Sequence, residues 1–389
     1  MPTPDIACTL PPLGLYIHIP WCIRKCPYCD FNSHSLDLAS PDFEQAYLEA
    51  LLLDLEYEAR RHPQKELASV FIGGGTPSVM SPEFYHRLLD EIEQYYPLPP
   101  TTEITLEANP GTLDEKKFAG YRRAGINRIS LGIQSFNHRH LKKLGRIHDA
   151  GQAMSAIEQL KSSGFDNFNI DLMHGLPEQT PEQAMSDLDT ALGFEPPHLS
   201  WYQLTIEPNT VFYHQPPPLP KDDTLWDIQQ QGEARLASAG LEHYEVSAWA
   251  CPGRRSRHNL NYWQFGDYIG IGAGAHGKRS ECDARNHLAI TRYSKTRQPD
   301  AYLKRIGNYI AKETLIKAEE LPFEFMMNAL RLKNGVHTDL FSQRTGLPAT
   351  VLEKGLTRGR QKGLLRTNRL ACTETGFHFL NETLGLFMD

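Results

Sequence analysis

The first two-thirds of the chain repeats one pattern: a short apolar run, a loop, then an amphipathic stretch that stops at glycine. The runs are "LYIHI", "SVFIGGG", "EITLEAN", "RISLGIQS", "FNIDLMHG" and "HLSWYQLTI". Between the first two, "PDFEQAYLEALLLDLEYEARRH" places Phe43, Tyr47, Leu48, Leu51, Leu52 and Leu55 at helical spacing. Ser81 followed by Pro82 reads as the cap and first turn of the next helix. Thr112 with Glu115 reads as a capping box for a helix ending at Gly125. Further helices are expected from about Asp149 to Gly164 and from Thr180–Pro181 to near Gly193. Strands alternating with helices predict a parallel sheet covered by helices, because parallel neighbours need long crossovers. Polar and glycine residues cluster just after each strand. A doubly wound sheet gathers such residues at one switch point, whereas a barrel collects them from every strand. The reading is a partial (β/α)6 barrel of the TIM type, six units being too few for a closed eight.

The remainder differs in texture. "HQPPPLPKDD" is a proline-rich loop, "EHYEVSAWA" a further strand, and "DYIGIGAGAHG" a buried strand with a glycine turn. From about Tyr302, "FEFMMNALRL", "DLFSQRTG" and "ATVLEKGLTRGRQKGLL" read as helices, and "LLRTNRLACTETGFHFLN" as a hairpin with a closing helix. That order predicts a small, mainly helical, winged-helix-like domain. The expected divisions are a tail over 1–13, the barrel core over 14–210, an extension over 211–300 and the small domain over 301–389. A formal charge of −7 argues against broad nucleic-acid binding, and the last domain is not basic enough to be read as a DNA reader. No apolar run is long enough to span a membrane, and "MPTPDIACTLPPLG" has neither the basic start nor the apolar core of a secretory signal.

Seven cysteines, three of them within "WCIRKCPYCDFNSH", do not form a disulfide framework. Clustered cysteines of this kind bind metal or do chemistry in a reducing cytosol, so the chain is expected to be cytoplasmic. Cys22, Cys26 and Cys29 follow the first strand at Cys-x3-Cys-x2-Cys spacing. They could be ordinary thiols, or part of a zinc site with a distant fourth ligand. They could also hold three irons of a [4Fe–4S] cluster and leave the fourth iron open. Cys8, Cys251, Cys282 and Cys372 have no ligand spacing and read as ordinary thiols. His18, inside the first strand, reads as packed. The glycine-rich "GGGTP", which contains Gly74, Gly75 and Thr76, lets backbone come close to a ligand.

The cysteine spacing together with "GGGTP" resembles the radical S-adenosylmethionine superfamily. The resemblance implies that the open iron is chelated by the amino and carboxylate groups of S-adenosylmethionine, whose sulfonium is cleaved by an electron from the cluster to release a 5′-deoxyadenosyl radical. "YIHIPWCIRKCPYC", "FIGGGTPS", "LEANP", "RISLGIQSF" and "FNIDLMHGLP" narrow the likeness to the oxygen-independent coproporphyrinogen oxidase group over roughly residues 14–210. By that likeness Tyr16, Tyr28, Gly74, Gly75, Thr76, Glu107, Gln134, Arg146, Asp171 and Thr205 are expected to contact the cosubstrate. Carboxylates suit ribose hydroxyls and an ammonium, and arginine suits a carboxylate.

Two features depart from the true oxidases. Phe31 stands where they carry a further cysteine, and the extension that closes over their substrate has no counterpart before the first strand. "HNLNYW", His258 to Trp263, and "CPYCDFNSH" instead resemble the HemW haem chaperones. That likeness implies haem as bound cargo, delivery to acceptor haemoproteins such as respiratory enzymes, and an electron donor such as flavodoxin or ferredoxin. Any membrane association would be peripheral, through partners. An imidazole is a common axial ligand of haem iron and Tyr262 and Trp263 are flat, so His258 is a haem-ligand candidate. The plainer alternative is a core histidine among aromatics that hold the last barrel segment. The rival function is a radical enzyme acting on a porphyrin or porphyrinogen, an oxidative decarboxylase or a methyltransferase.

Overall fold

The structure, a computed structural model, describes residues 9–36, 42–62, 66–283 and 287–388. Six strands lie side by side and parallel in chain order: β1 (Leu13–Ile19), β2 (Leu67–Gly74), β3 (Glu103–Ala108), β4 (Arg128–Gln134), β5 (Phe168–His174) and β6 (His198–Gln203). The crossovers are α1 (Phe43–Arg61), α2 (Pro82–Tyr95), α3 (Glu115–Arg123), α4 (Ala150–Ser162) and α5 (Pro181–Leu192), followed by α6 (Asp222–Ser238). The barrel does not close. Beyond β6 the sheet continues antiparallel through β7 (Glu242–Glu245) and β8 (Ala248–Ala250), with β8 next to β6. Beyond β1 it continues through β9 (Asp267–Ile271), parallel to β1, and then antiparallel through β10 (His276–Cys282), β11 (Leu288–Lys295) and β12 (Ile310–Leu315).

Each central strand splits by its pleat. Leu15, Ile17, Val70, Ile72, Leu106, Ile129, Leu131, Ile170, Leu172 and Leu199 are buried in the core between sheet and helices. The alternate residues, among them Glu107, Ser130, Asp171, Ser200 and Tyr202, line the lumen. The lumen is therefore a polar site and not the packed interior of a closed eight-stranded barrel.

Most expected helix starts are where the sequence puts them. Ser81 caps α2 by accepting from Phe84 N, and Asp149 and Thr180 make reciprocal capping boxes for α4 and α5. Two expectations are corrected. Thr112 does not cap α3: its hydroxyl bonds the Asn109 carbonyl at 2.8 Å and Ser78 at 2.5 Å, and Asp114 takes the cap by accepting from Lys117 N. "EHYEVSAWA" is not one strand but the hairpin β7–β8. At its turn Val246 N bonds Arg331 O and Ser247 O accepts from Trp201 N, so the chain reverses to reach both neighbours.

Tyr302 and Tyr309 are still part of the main core, and β12 is still part of its sheet. A second core gathers Phe325, Phe341, Leu356 and Leu370 with Phe265 and Ile290 from the sheet side. Its helices include Leu321–Ala329, Asp339–Thr345 and Glu353–Gln361, and the expected hairpin is reduced to one bridge between Leu365 and Cys372. Cys251 and Cys372 are free thiols, whereas Cys282, exposed at the end of β10, is disulfide-bonded. Cys8 and most of the N-terminal tail are outside the described residues. Among the described residues, no helix is long and apolar enough to cross a membrane.

Candidate functional site

The loop after β1 rises over the end of the barrel where the parallel strands finish. It is fastened at both ends: Trp21–Cys22 pairs with His34–Ser35, and Gly75 N and Thr76 N bond Ile19 O and Trp21 O, each at 2.7 Å. A Cβ on Gly75 would stand 2.5 Å from the Trp21 carbonyl oxygen, and one on Gly74 (φ +113°) 2.7 Å from the His18 ring. These glycines therefore answer first to the approach of β1 and β2.

Beneath the loop is a cavity of about 460 Å³. Cys22, Cys26, Cys29, Tyr28, Gly74, Gly75, Thr76, Glu107, Gln134, Arg146, Asp171 and Thr205 all line it, so twelve of the fourteen candidates meet at one place. Each thiol meets a polar neighbour from a different segment. Thr76 Oγ1 donates to Cys22 Sγ at 3.3 Å, Arg146 Nη1 approaches Cys26 Sγ at 3.7 Å, and Ser33 Oγ stands 3.9 Å from Cys29 Sγ. Burial pushes the Cys22 and Cys29 thiols up, so without a bound cation they are protonated at neutral pH. A coordinated metal inverts that preference.

Two carboxyl groups face each other across the lumen. Poorly hydrated surroundings push Glu107 up to about 8; Asp171 adds to the rise and the Gly74 N–H, donating to Glu107 Oε2 at 3.1 Å, opposes it. Burial also raises Asp171, which accepts from Ser130 Oγ at 2.9 Å and Asn169 Nδ2 at 2.8 Å. Gln134 adopts a left-handed backbone (φ +73°), a conformation that costs a non-glycine residue about 1–3 kcal/mol, and its Oε1 accepts from Tyr202 OH at 3.0 Å. The Arg146 guanidinium donates to Gly132 O, while its buried Nε has no hydrogen-bond partner among the described residues. A cation with one unused donor, beside two acids and three thiols, suits a ligand that carries both a carboxylate and an ammonium.

Tyr16 and His258 stand apart from the cavity lining. Tyr16 is one layer back, its hydroxyl 2.9 Å from His18 Nδ1. His258 is the second residue of α7 (Arg257–Trp263), whose N-terminus meets the start of β3 where Arg257 N donates to Glu103 Oε1 at 2.8 Å. That is the opposite end of the barrel from the cysteines. The imidazole is 5% exposed and stacks on Phe71, ring centroids 4.1 Å apart, with Tyr262 at 4.3 Å on another side. Burial, with Arg128 adding, pushes it down to about 3, so it is neutral. Trp263 packs outward under the Arg331 guanidinium, 4.3 Å away.

Sequence reasoning missed Tyr202, Ser130, Asn169 and Asn32. The first three were recoverable from strand alternation, since they share a face with Asp171 or Gln134. Asn32 was not, because its partners are about 240 residues away.

Residues 16–191 match the Radical SAM superfamily model, and residues 316–379 the HemN C-terminal domain. The chain is 50% identical over 385 residues to the heme chaperone HemW of Haemophilus influenzae, covering 97% of this chain and 98% of that one. It is 48% identical to the heme chaperone HemW of Escherichia coli, covering 97% and 99%. Among solved structures, coproporphyrinogen III oxidase (HemN) from Escherichia coli superposes with a TM-score of 0.80 at 21% identity, over 97% of this chain and 90% of that one. That last likeness shows a shared fold. With near full-length identity of this order, the chain belongs to the HemW heme chaperone family of the radical S-adenosylmethionine superfamily.

Proposed function

We propose that this protein binds haem and delivers it to acceptor haemoproteins, and that Cys22, Cys26 and Cys29 hold a [4Fe–4S] cluster beside a site for S-adenosylmethionine. The observation that carries the cofactor reading is the convergence of three thiols, an arginine with an unused donor and a carboxyl pair on one cavity. No group of three or more His, Cys, Asp or Glu side chains among the described residues is close enough to hold a single metal ion. When bound, the cluster would supply an electron to the sulfonium. The chain's own part is orientation. Arg146 is placed for the carboxylate of the methionine moiety, Glu107 and Asp171 for its ammonium and the ribose hydroxyls, and the Gly74–Thr76 backbone for close approach. Tyr28 and Thr205 wall the cavity on the side of the cysteine loop and of β6.

His258 fits the packing alternative better than the role of haem ligand. To reach iron, α7 would have to leave Phe71 and open the barrel floor. Phe31, at the cavity mouth, is 58% exposed and stands where a fourth cysteine would follow the other three. Both features favour cargo held at an accessible face over substrate enclosed for chemistry.

The test is anaerobic haem titration of the cluster-loaded protein, followed by transfer to an apo-haemoprotein. A Soret shift and recovery of acceptor absorbance are expected. Accumulation of protoporphyrinogen from coproporphyrinogen III, S-adenosylmethionine and a reductant would replace this reading with the decarboxylase.

A further inference from the structure

We infer that Asn32 is a positioning residue for the cluster: it latches the cysteine loop to the sheet extension beyond β9, so that ligation by residues near the N-terminus depends on a turn far along the chain. The inference rests on the cluster reading above.

Elsewhere along its length the loop meets distant chain at Pro27 O, which accepts from Phe212 N at 3.0 Å, and at Cys26 Sγ, 3.7 Å from Arg146 Nη1; its remaining bonds are local or lie at its ends. Cys29 N bonds Cys26 O at 3.2 Å, Ser33 N bonds Phe31 O at 2.7 Å, and His34 N bonds Pro20 O at 2.7 Å. Asn32 reaches across the molecule. Its two Nδ2 protons go to Ala273 O at 3.0 Å and Arg297 O at 2.9 Å. Its main-chain oxygen stands 2.9 Å from His18 Nε2, and the other nitrogen of that ring meets Tyr16 OH. Its Oδ1 stands 3.3 Å from His34 Nε2.

The receiving turn is shaped for this contact and rigidly held. Gly274 (φ +82°) passes so close that a Cβ there would stand 2.1 Å from Asn32 Nδ2. Gly272 N donates to Asp54 Oδ2 at 3.1 Å, Ala273 N donates to Tyr47 OH at 3.0 Å, and Tyr47 OH donates to His18 O at 2.6 Å. Asp54 is in turn ion-paired with the buried Lys295, two residues before Arg297. A site with three protein ligands has no fourth to close the loop around the cluster. Groups outside the ligand set then fix ligand orientation, and their loss costs metal affinity. Asn32, three residues after Cys29, ties the C-terminal half of this loop to a fixed support through two side-chain hydrogen bonds.

The test compares wild type, Asn32→Ala, Asn32→Asp and Gly274→Ala, each reconstituted anaerobically as the full chain. Bleaching of the cluster absorbance under excess EDTA gives the rate of iron loss, and the EPR spectrum of the reduced cluster reports its geometry. Losing two hydrogen bonds is expected to speed iron loss about ten-fold. Asn32→Asp keeps the shape but presents oxygens to two carbonyls, so it should leak at least as fast as Asn32→Ala. Gly274→Ala should produce the same change from the other side. The metal-free variants should unfold within a few degrees of the metal-free wild type, which separates latching from general stability. Iron loss within two-fold of wild type for both Asn32 variants, with an unchanged EPR spectrum, would overturn the latch. So would a leaky Asn32→Ala beside a retentive Asn32→Asp, which would make the role one of shape. Failure of the wild type itself to take up a cluster would instead remove the cysteine reading on which the latch rests.

Discussion

Glu107 shows how one residue links the state of the site to its ligand. Held at about 8, its carboxyl keeps a proton at neutral pH that the unfolded chain, with an ordinary carboxyl, has given up. The folded state therefore binds more protons than the unfolded state between roughly pH 4.5 and 8, and its stability falls as pH rises through that window. A ligand ammonium beside Glu107 favours the charged form and must expel the proton. Affinity of the cluster-loaded protein for S-adenosylmethionine should then climb with pH, by up to about ten-fold per unit, and level off near pH 8. Glu107→Gln should bind more weakly and without that slope. Isothermal titration at pH 6, 7 and 8 in buffers of different ionisation enthalpy measures both the affinity and the proton released. A wild-type affinity independent of pH would mean that Glu107 does not meet the ammonium. His258 makes the opposite case. Its neutral ring is already satisfied by stacking, so His258→Ala should cost about 2–4 kcal/mol in urea unfolding by leaving a hole beside Phe71. The haem-induced Soret shift should survive.

At the scale of the element, the glycine turn after β2 and the start of the cysteine loop behave as one piece. Gly75→Ala would drive a methyl into the Trp21 carbonyl, where backbone cannot give way as a flexible side chain can. The expected result is a loss of about 1–3 kcal/mol in metal-free unfolding and a reduced iron content after reconstitution. Local signals made much of this piece readable from sequence. Ser81, Asp149 and Thr180 were legible as caps because a cap depends on residues within one turn. Thr112 failed because Asp114 offers a competing cap two residues later, and Asn109–Pro110 bends the chain so that the threonine hydroxyl is spent elsewhere. The β7–β8 hairpin was missed because its turn, Val246–Ser247, carries no glycine, proline or asparagine and is set by tertiary bonds. Nine residues assigned from motif likeness line the cavity with the three cysteines, and Tyr202 was within reach of strand alternation, whereas Asn32 acts through carbonyls of two distant turns that no local pattern reports.

For the molecule as a whole, the open barrel depends on what closes its seam at β1. There α1 carries Asp54 and Glu58 against Lys295 of β11, all three without solvent exposure. Tyr302 OH donates to Asp54 and Tyr293 OH to Glu58, at 2.8 and 3.1 Å. The first helix of the barrel is thus joined to the far end of the sheet by charge, and the turn that receives Asn32 hangs from the same Asp54. Burial raises Asp54 to about 6 even with the lysine beside it. Lys295→Met fills the space but takes the lysine away from two buried carboxyl groups, leaving Asp54 with no cation and Glu58 with only His62 Nε2 at 3.4 Å, which should cost about 3–5 kcal/mol at pH 8. The sign of the pH dependence separates this from a packing defect. Without the lysine both groups must take up protons to stay buried, and that uptake becomes easier as pH falls. The deficit relative to wild type should therefore shrink between pH 8 and pH 5, whereas a packing defect would be the same at both. Urea unfolding of the metal-free proteins at the two pH values decides it. An equal deficit would mean that the triad joins the seam by shape alone, and that Asp54 holds the Gly272 turn independently of its charge.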